Sequence, residues 1–249
     1  MKQLLTKITI ALITLLTVQG QQNVVKLNLS SLAFGNTYLS YERAMAKKLS
    51  FQIGVNYIHD RKIPFSDNFG PLNGNESPMN GMKMNGWGIT PELRLYTSID
   101  KSVPKGFYIS PYFRYNHYSF QRNNYEYKFK DIYDEDKLKT SNINFNGNAS
   151  FVGGGIMIGH QWILNKSLSI DFWILGLGIS SGRFELNAMS NNMDSRYFKK
   201  GNSFSDEVTD NMKALNSVEI SSGANYVMAT SSRTLPGIRG LGLNVGFAF

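Results

Sequence analysis

The chain has 249 residues, of which 42% are hydrophobic, 13% aromatic and 18% charged, with a formal charge of +8 and no cysteine. The lack of cysteine excludes disulfides, zinc–thiolate centres, iron–sulfur clusters and thiol nucleophiles. A mean hydropathy of −0.25 is too polar for a helical membrane protein, and no stretch reaches the ~18 apolar residues of a spanning helix.

The first twenty residues read as a secretory signal peptide. Lys2 and Lys7 supply positive charge, Ile8 to Val18 is an uncharged apolar run, and Val18-Gln19-Gly20 fits a cleavage site before Gln21. Eleven helical residues rise only ~16 Å, about half of a bilayer's hydrocarbon, so the run does not serve as an anchor. Removing Lys2 and Lys7 with it takes the charge from +8 to +6. Residues 21–249 then form one domain.

Eight segments of period 2 follow. Val25, Leu27 and Leu29 alternate with Lys26, Asn28 and Ser30, and Leu39 and Tyr41 with Ser40 and Glu42. The run 49–57 places Leu49, Phe51, Ile53, Val55 and Tyr57 on one face and Ser50, Gln52, Gly54 and Asn56 on the other. Trp87 to Leu95 and Phe107 to Tyr115 repeat the pattern. So do 150–163 (Val152, Ile156, Ile158, Trp162 against glycines and Gln161), Leu168 to Ile174, and Leu241 to Phe249. Strict alternation identifies strands. Segments of ~9–11 residues match tilted strands that cross a bilayer, and small residues on the second face suit the crowded inside of a small barrel.

The connections are asymmetric. Those after the second, fourth and sixth strands are short (45–48, 98–105, 164–167), and those after the third, fifth and seventh are long (59–85, 121–147, 181–236). The first, 33–37, is short but lies on the long-loop side. The expected fold is therefore an all-β, eight-stranded, antiparallel, up-and-down transmembrane β-barrel in the outer membrane, with long extracellular loops and both termini periplasmic. Trp162 and Phe107 are expected in the lower aromatic girdle, and Tyr57, Trp87 and Tyr115 in the upper. Phe247 and Phe249 close the last alternating strand and read both as interfacial aromatics and as a signal for the barrel-assembly machinery.

Several phrases resemble a family of small Bacteroidetes outer-membrane barrels that carry a domain of unknown function, of the OmpX/OmpA-barrel type. They are Val-Lys-Leu-Asn-Leu (25–29), Leu-Ser-Tyr-Glu-Arg (39–43), Thr-Pro-Glu-Leu-Arg-Leu-Tyr (90–96), Gly-Phe-Tyr-Ile-Ser-Pro-Tyr (106–112), Asp-Phe-Trp-Ile-Leu-Gly (171–176) and the closing 235–247. The resemblance implies a fold and a location, and no activity.

Six charges fall on the inward phase: Lys26, Glu42, Glu92, Arg94, Arg114 and Asp171. Buried charges persist when paired, so the reading is an interior ion-pair network that fills the lumen. The channel alternative treats the same residues as an ion path. His117 and Ser119 share one face of a strand, as a base and a serine nucleophile need, with Glu126 or Asp131 as a third member. This lipid-modifying hydrolase is the weaker alternative, and the chain is expected not to be an enzyme. Gly153-Gly154-Gly155 lacks the spacing of a nucleotide loop. Asp131, Asp134, Glu135 and Asp136 read as a solvated loop tip, and no cofactor or metal is implied. Scattered basic residues exclude nucleic acid as a partner. The expected partners are outer-membrane lipids, lipopolysaccharide contacting the rim near His59-Asp60-Arg61-Lys62, the assembly machinery and an extracellular ligand of the loops. Alternation at 125–130 and 143–146 predicts that the fifth and sixth strands continue above the membrane as one hairpin with an aromatic edge free to stack on a partner. Helical spacing predicts a short helix over 205–215. The function expected is structural or adhesin-like, carried by the loops.

Overall fold

The computed structural model describes residues 22–63, 77–97, 104–131, 133–134, 136–199, 204–206 and 218–249. The signal segment 1–20, residue 135 of the acidic loop tip and most of the helix expected at 205–215 lie outside these residues. At the start of that helix, 204–206 are helical.

Ten strands follow in chain order: β1 (Asn23–Asn28), β2 (Thr37–Ala46), β3 (Leu49–Lys62), β4 (Lys83–Tyr96), β5 (Gly106–Lys130), β6 (Leu138–Leu164), β7 (Leu168–Met189), β8 (Val218–Ser222), β9 (Tyr226–Arg239) and β10 (Gly242–Ala248). A single helical turn, α1 (Leu29–Ala33), joins β1 to β2, capped by the Asn28 side chain, which accepts from the Ser31 N–H. Neighbours from β1 to β7 pair antiparallel in sequence order, and β10 pairs with both β7 and β1. The sheet is a closed ring.

β7 pairs with β10 along Leu168–Trp173 and with β9 along Gly176–Met189. β9 and β10 are therefore one interrupted stave, which makes eight staves in the ring. The break and its neighbour are coupled. Opposite it, β7 carries an extra residue, Ile174, between the pairs Ile158–Leu175 and Gly159–Trp173. The inward Trp173 indole occupies the space where a Cβ on Gly242 would sit. A large ring at the narrowest packing is accommodated by glycine on one strand and by irregularity on both.

The chain ends and two short turns share one rim. Asn23 and Phe249 exchange backbone hydrogen bonds at 3.0 and 2.9 Å, Ala44 N–H donates to Gln22 O at 2.7 Å, and Ala248 N–H to Ser167 O at 2.7 Å. Asn165 and Lys166 both have positive φ, 47° and 64°, and Ser167 N–H closes on Leu164 O at 3.1 Å. That is the primed turn whose twist matches paired strands.

The two faces sort as the alternation requires. Phe51, Val55, Leu93, Ile109, Val152, Ile156, Leu177 and Phe247 are exposed on the outside, while Ser50, Gln52, Thr90, Ser110, Gln161 and Ser169 are buried inside. An apolar exterior around a polar interior inverts the order of a soluble barrel and is the arrangement of one that sits in lipid. Among the described residues no helix is long and apolar enough to cross a membrane. Trp87 packs on Tyr115 at 5.3 Å at the upper rim, and Trp162 on His160 at 4.2 Å at the lower.

Most of 121–147 is strand, as the alternation within it predicts, and 181–236, expected as a loop, carries strand at 181–189, 218–222 and 226–236. The predicted hairpin is present: β5 and β6 stay paired up to Lys130–Leu138. β7 also continues to Met189, where it meets β9, and β8 adds an edge to β9. These upper strands hold a second apolar core of Tyr125, Tyr127, Phe129, Phe145, Leu186 and Val227, with Tyr197, Phe198 and Phe204 packed over them. Tyr127 and Phe129 are buried, and their rings meet Phe204 at 5.1 Å and Tyr197 at 4.6 Å. The aromatic edge expected to be free for a partner is thus consumed by the protein's own core. Alternation reports a face and does not say what covers it.

Candidate functional site: the lumen

Five of the six expected inward charges meet at one level. Lys26 (β1) contacts Glu42 (β2) at 2.5 Å and Asp171 (β7) at 2.9 Å. Arg94 (β4) contacts Asp171 at 2.8 Å, Glu92 at 2.9 Å and Glu42 at 3.5 Å. All five side chains are fully buried. Neutral groups take the remaining lone pairs. Tyr96 donates to Glu42 at 2.6 Å, Tyr108 to Asp171 at 2.8 Å, Gln52 to Glu92 at 2.9 Å, and Ser50 also donates to Glu42. The Gln161 carbonyl accepts from Lys26 and Arg94 at 2.8 and 3.1 Å.

Arg114 is the exception. It lies inward, but no ion pair or hydrogen bond joins it to the network among the described residues. Its place is taken by Arg239, which the alternation did not reveal. Arg239 contacts Glu92 at 2.6 Å and stacks over Trp173 at 4.0 Å. With it, every one of the eight staves contributes at least one member. The reason is geometric. One oxygen of Glu92 is held by Arg239, and the other by Arg94 and Gln52. Nothing on Glu92 is left for Arg114, which sits one inward step above Tyr112, Glu92's cross-strand neighbour. Arg239 was hidden because the break at 240–241 shifts the phase by one residue. Counted back from Leu241, residue 239 falls on the outside, but in the structure it is 7% exposed and inside.

A cavity of about 290 Å³ opens above the network, lined by Arg114, Arg239, Thr90, Asn56, Asn116 and Asn36 among others. It is the upper, unfilled part of the lumen, and the ion pairs are its floor.

The outward His117 does not meet Ser119. Its Nδ1 lies 2.9 Å from Ser150 Oγ, on the paired strand. Asp131 stands fourteen residues further along, roughly 46 Å at ~3.3 Å per residue, where it pairs with Lys139 at 2.8 Å and accepts from Tyr197 at 3.3 Å. That contact raises the Lys139 pKa, through the Asp131 hydrogen bond first. Glu126, nine residues beyond His117, is beside Lys128 at 3.8 Å. The strand geometry therefore keeps both expected acids away from His117. Asp134 faces Lys137 at 3.8 Å, and among the described residues no group of three acidic or histidine side chains is placed to hold a metal ion. Phe247 and Phe249 stack at 6.3 Å at the lower rim.

A closed antiparallel ring of eight staves, apolar outside and with a buried ion-pair network inside, belongs to the class of outer-membrane β-barrels, since backbone crosses lipid as closed barrels or helices. Residues 6–204 match a family described as proteins of unknown function (DUF3575), and the chain belongs to that family. No curated protein matches it. Among solved structures it is similar to CarO2 of Acinetobacter baumannii, with 13% identity, a TM-score of 0.38, and 92% of this chain and 97% of that chain covered. It is also similar to a major outer membrane protein from Thermus thermophilus, with 16% identity, a TM-score of 0.36, and 91% and 99% covered. The β domain of the Bordetella autotransporter BrkA follows, with 11% identity, a TM-score of 0.23, and 91% and 96% covered.

Proposed function

We propose that the protein is a sealed surface barrel of the outer membrane: a structural scaffold that presents its upper sheet outside the cell for contact with an extracellular ligand or a neighbouring surface. The observation that carries this reading is the division of the molecule in two. The lumen is crossed by a buried network of ion pairs and hydrogen bonds drawn from all eight staves, while β5 to β9 rise beyond the aromatic girdle and form a core of their own. A transport protein needs a path, and a fully buried ion network opposes one. A surface-interaction protein needs a rigid platform beyond the lipid headgroups, and the upper sheet supplies it.

On this reading residues 1–20 direct export, Phe247 and Phe249 engage the barrel-assembly machinery, and basic residues at the upper rim, such as Arg61 and Lys62, contact lipopolysaccharide phosphates. The eight-stave ring supports the OmpX/OmpA type, and the phrases named above support a Bacteroidetes origin. The role is not enzymatic. The test is surface labelling of intact cells. An epitope placed at 133–138, where Tyr133 and Leu138 are exposed, should be reached by antibody without permeabilisation. An epitope at the Asn165 turn should be reached only after it. The reverse pattern overturns the proposal.

A further inference from the structure

The cavity above the network has the chemistry of a binding site. At the level of the network and the cavity, four cations (Lys26, Arg94, Arg114, Arg239) face three carboxylates (Glu42, Glu92, Asp171). The surplus positive charge is Arg114, whose guanidinium faces the cavity with no carboxylate paired to it. A further polar group on the cavity wall is buried and without a hydrogen-bond partner: the Thr90 hydroxyl, on a residue 1% exposed. A partly buried cation without a paired carboxylate and a buried, orphaned hydroxyl in one polar hollow together favour an anion. The volume is at the small end of ligand pockets, roughly 300–1,000 Å³.

The cavity also reaches the flank of the barrel. Its wall includes Ile238 and Leu241, which are 75% and 68% exposed and lie on the lipid-facing phase on either side of the broken stave. There, above the level where β10 closes the ring, the wall is incomplete among the described residues. β9 pairs with β7 along its whole length, but on its other edge only 227–231 are paired, with β8. The edge of 232–239 carries no strand among the described residues. The gap lies beside α1 and the β1–β2 connection, whose Leu32 and Phe34 are exposed and apolar.

We propose that this cavity binds an organic anion with an apolar tail, its carboxylate or phosphate head on Arg114 within reach of Thr90, and its tail leaving through the gap past Ile238 and Leu241. The site rests on the barrel fold but not on the surface role proposed for the upper sheet. A head group held there neutralises the surplus charge. A tail laid along the flank stays in lipid, so the site would be loaded from the membrane and not from water.

The test uses the mature chain in phosphatidylcholine nanodiscs with Trp87→Phe and Trp162→Phe, so that Trp173, which lines the cavity, is the only tryptophan. Sodium decanoate, sodium acetate and inorganic phosphate are titrated separately. Decanoate should change Trp173 emission saturably. Arg114→Gln should weaken its binding at least tenfold, and Arg114→Lys much less. Ile238→Arg, which sets a charge across the tail's path, should also weaken decanoate. The unboiled gel mobility of each variant confirms that the barrel is intact and separates loss of the site from loss of the fold. Absence of a saturable response, or equal affinity in Arg114→Gln, overturns the site. Acetate or phosphate binding as tightly as decanoate overturns the apolar tail and the lateral entry.

Discussion

Arg239 lies over the Trp173 indole at 4.0 Å while its guanidinium reaches Glu92 at 2.6 Å. This relationship joins the broken stave to the opposite wall of the barrel. Trp173 opens the space, Gly242 yields to it, and the break that follows turns Arg239 inward to close the network.

Arg239→Ala should therefore cost much more than Arg114→Ala. The first strips one oxygen of a fully buried Glu92 of its cation, and breaking such a pair costs about 3–5 kcal/mol. The second removes no ion pair, and a loss below ~1 kcal/mol is expected. Equilibrium unfolding in urea from lipid vesicles measures both. Equal losses would mean that Arg114 is bound into the network after all.

Gly242 and Gly240 offer a sharper comparison, two residues apart. A Cβ at 242 overlaps the Trp173 ring, while one at 240 meets nothing within 4 Å. Gly242→Ala should destabilise by ~1–3 kcal/mol through overpacking, and Gly240→Ala should be nearly neutral. Adding Trp173→Leu should relieve the first change. A double variant as weak as the sum of the two singles would show that the indole is not the obstacle.

The lumen should conduct poorly. Lys26, Arg94, Arg239 and their three carboxylates fill it at one level, and eight staves leave an interior just wide enough for side chains. Planar-bilayer recordings should show no stable steps of porin size. Steady large conductance would restore the channel reading and make the network its selectivity lining.

Replacing 124–145 with an Asn-Gly turn should leave the ring heat-modifiable on gels, because every lower pairing survives. It should not leave the surface unchanged. Tyr127 and Phe129 cover Phe204 and Tyr197, so the shortened protein should bind an apolar dye and lose protease resistance around 190–199. If dye binding and proteolysis match the full chain, the upper core is not a cooperative unit.

Much of the barrel was legible in the order of residues. Period-2 alternation separates Phe51 and Val55 from Gln52 and Asn56 because a pleated strand alternates its side chains, and lipid outside with packed polar groups inside gives each face a distinct composition. The count of eight staves, the shared rim of the termini and the inward placing of Lys26, Glu42, Glu92, Arg94 and Asp171 follow from that local rule. What alternation cannot carry is any event that shifts its phase or covers its face. The break at Gly240–Leu241 moved Arg239 inside, and the acceptors of Glu92, once taken, left Arg114 facing the cavity above the network. The upper aromatics read as free until β7, β9 and the turn at 195–198 closed over them. Each of these depends on which distant strand arrives, and contacts between residues far apart in the chain are settled only when the ring closes.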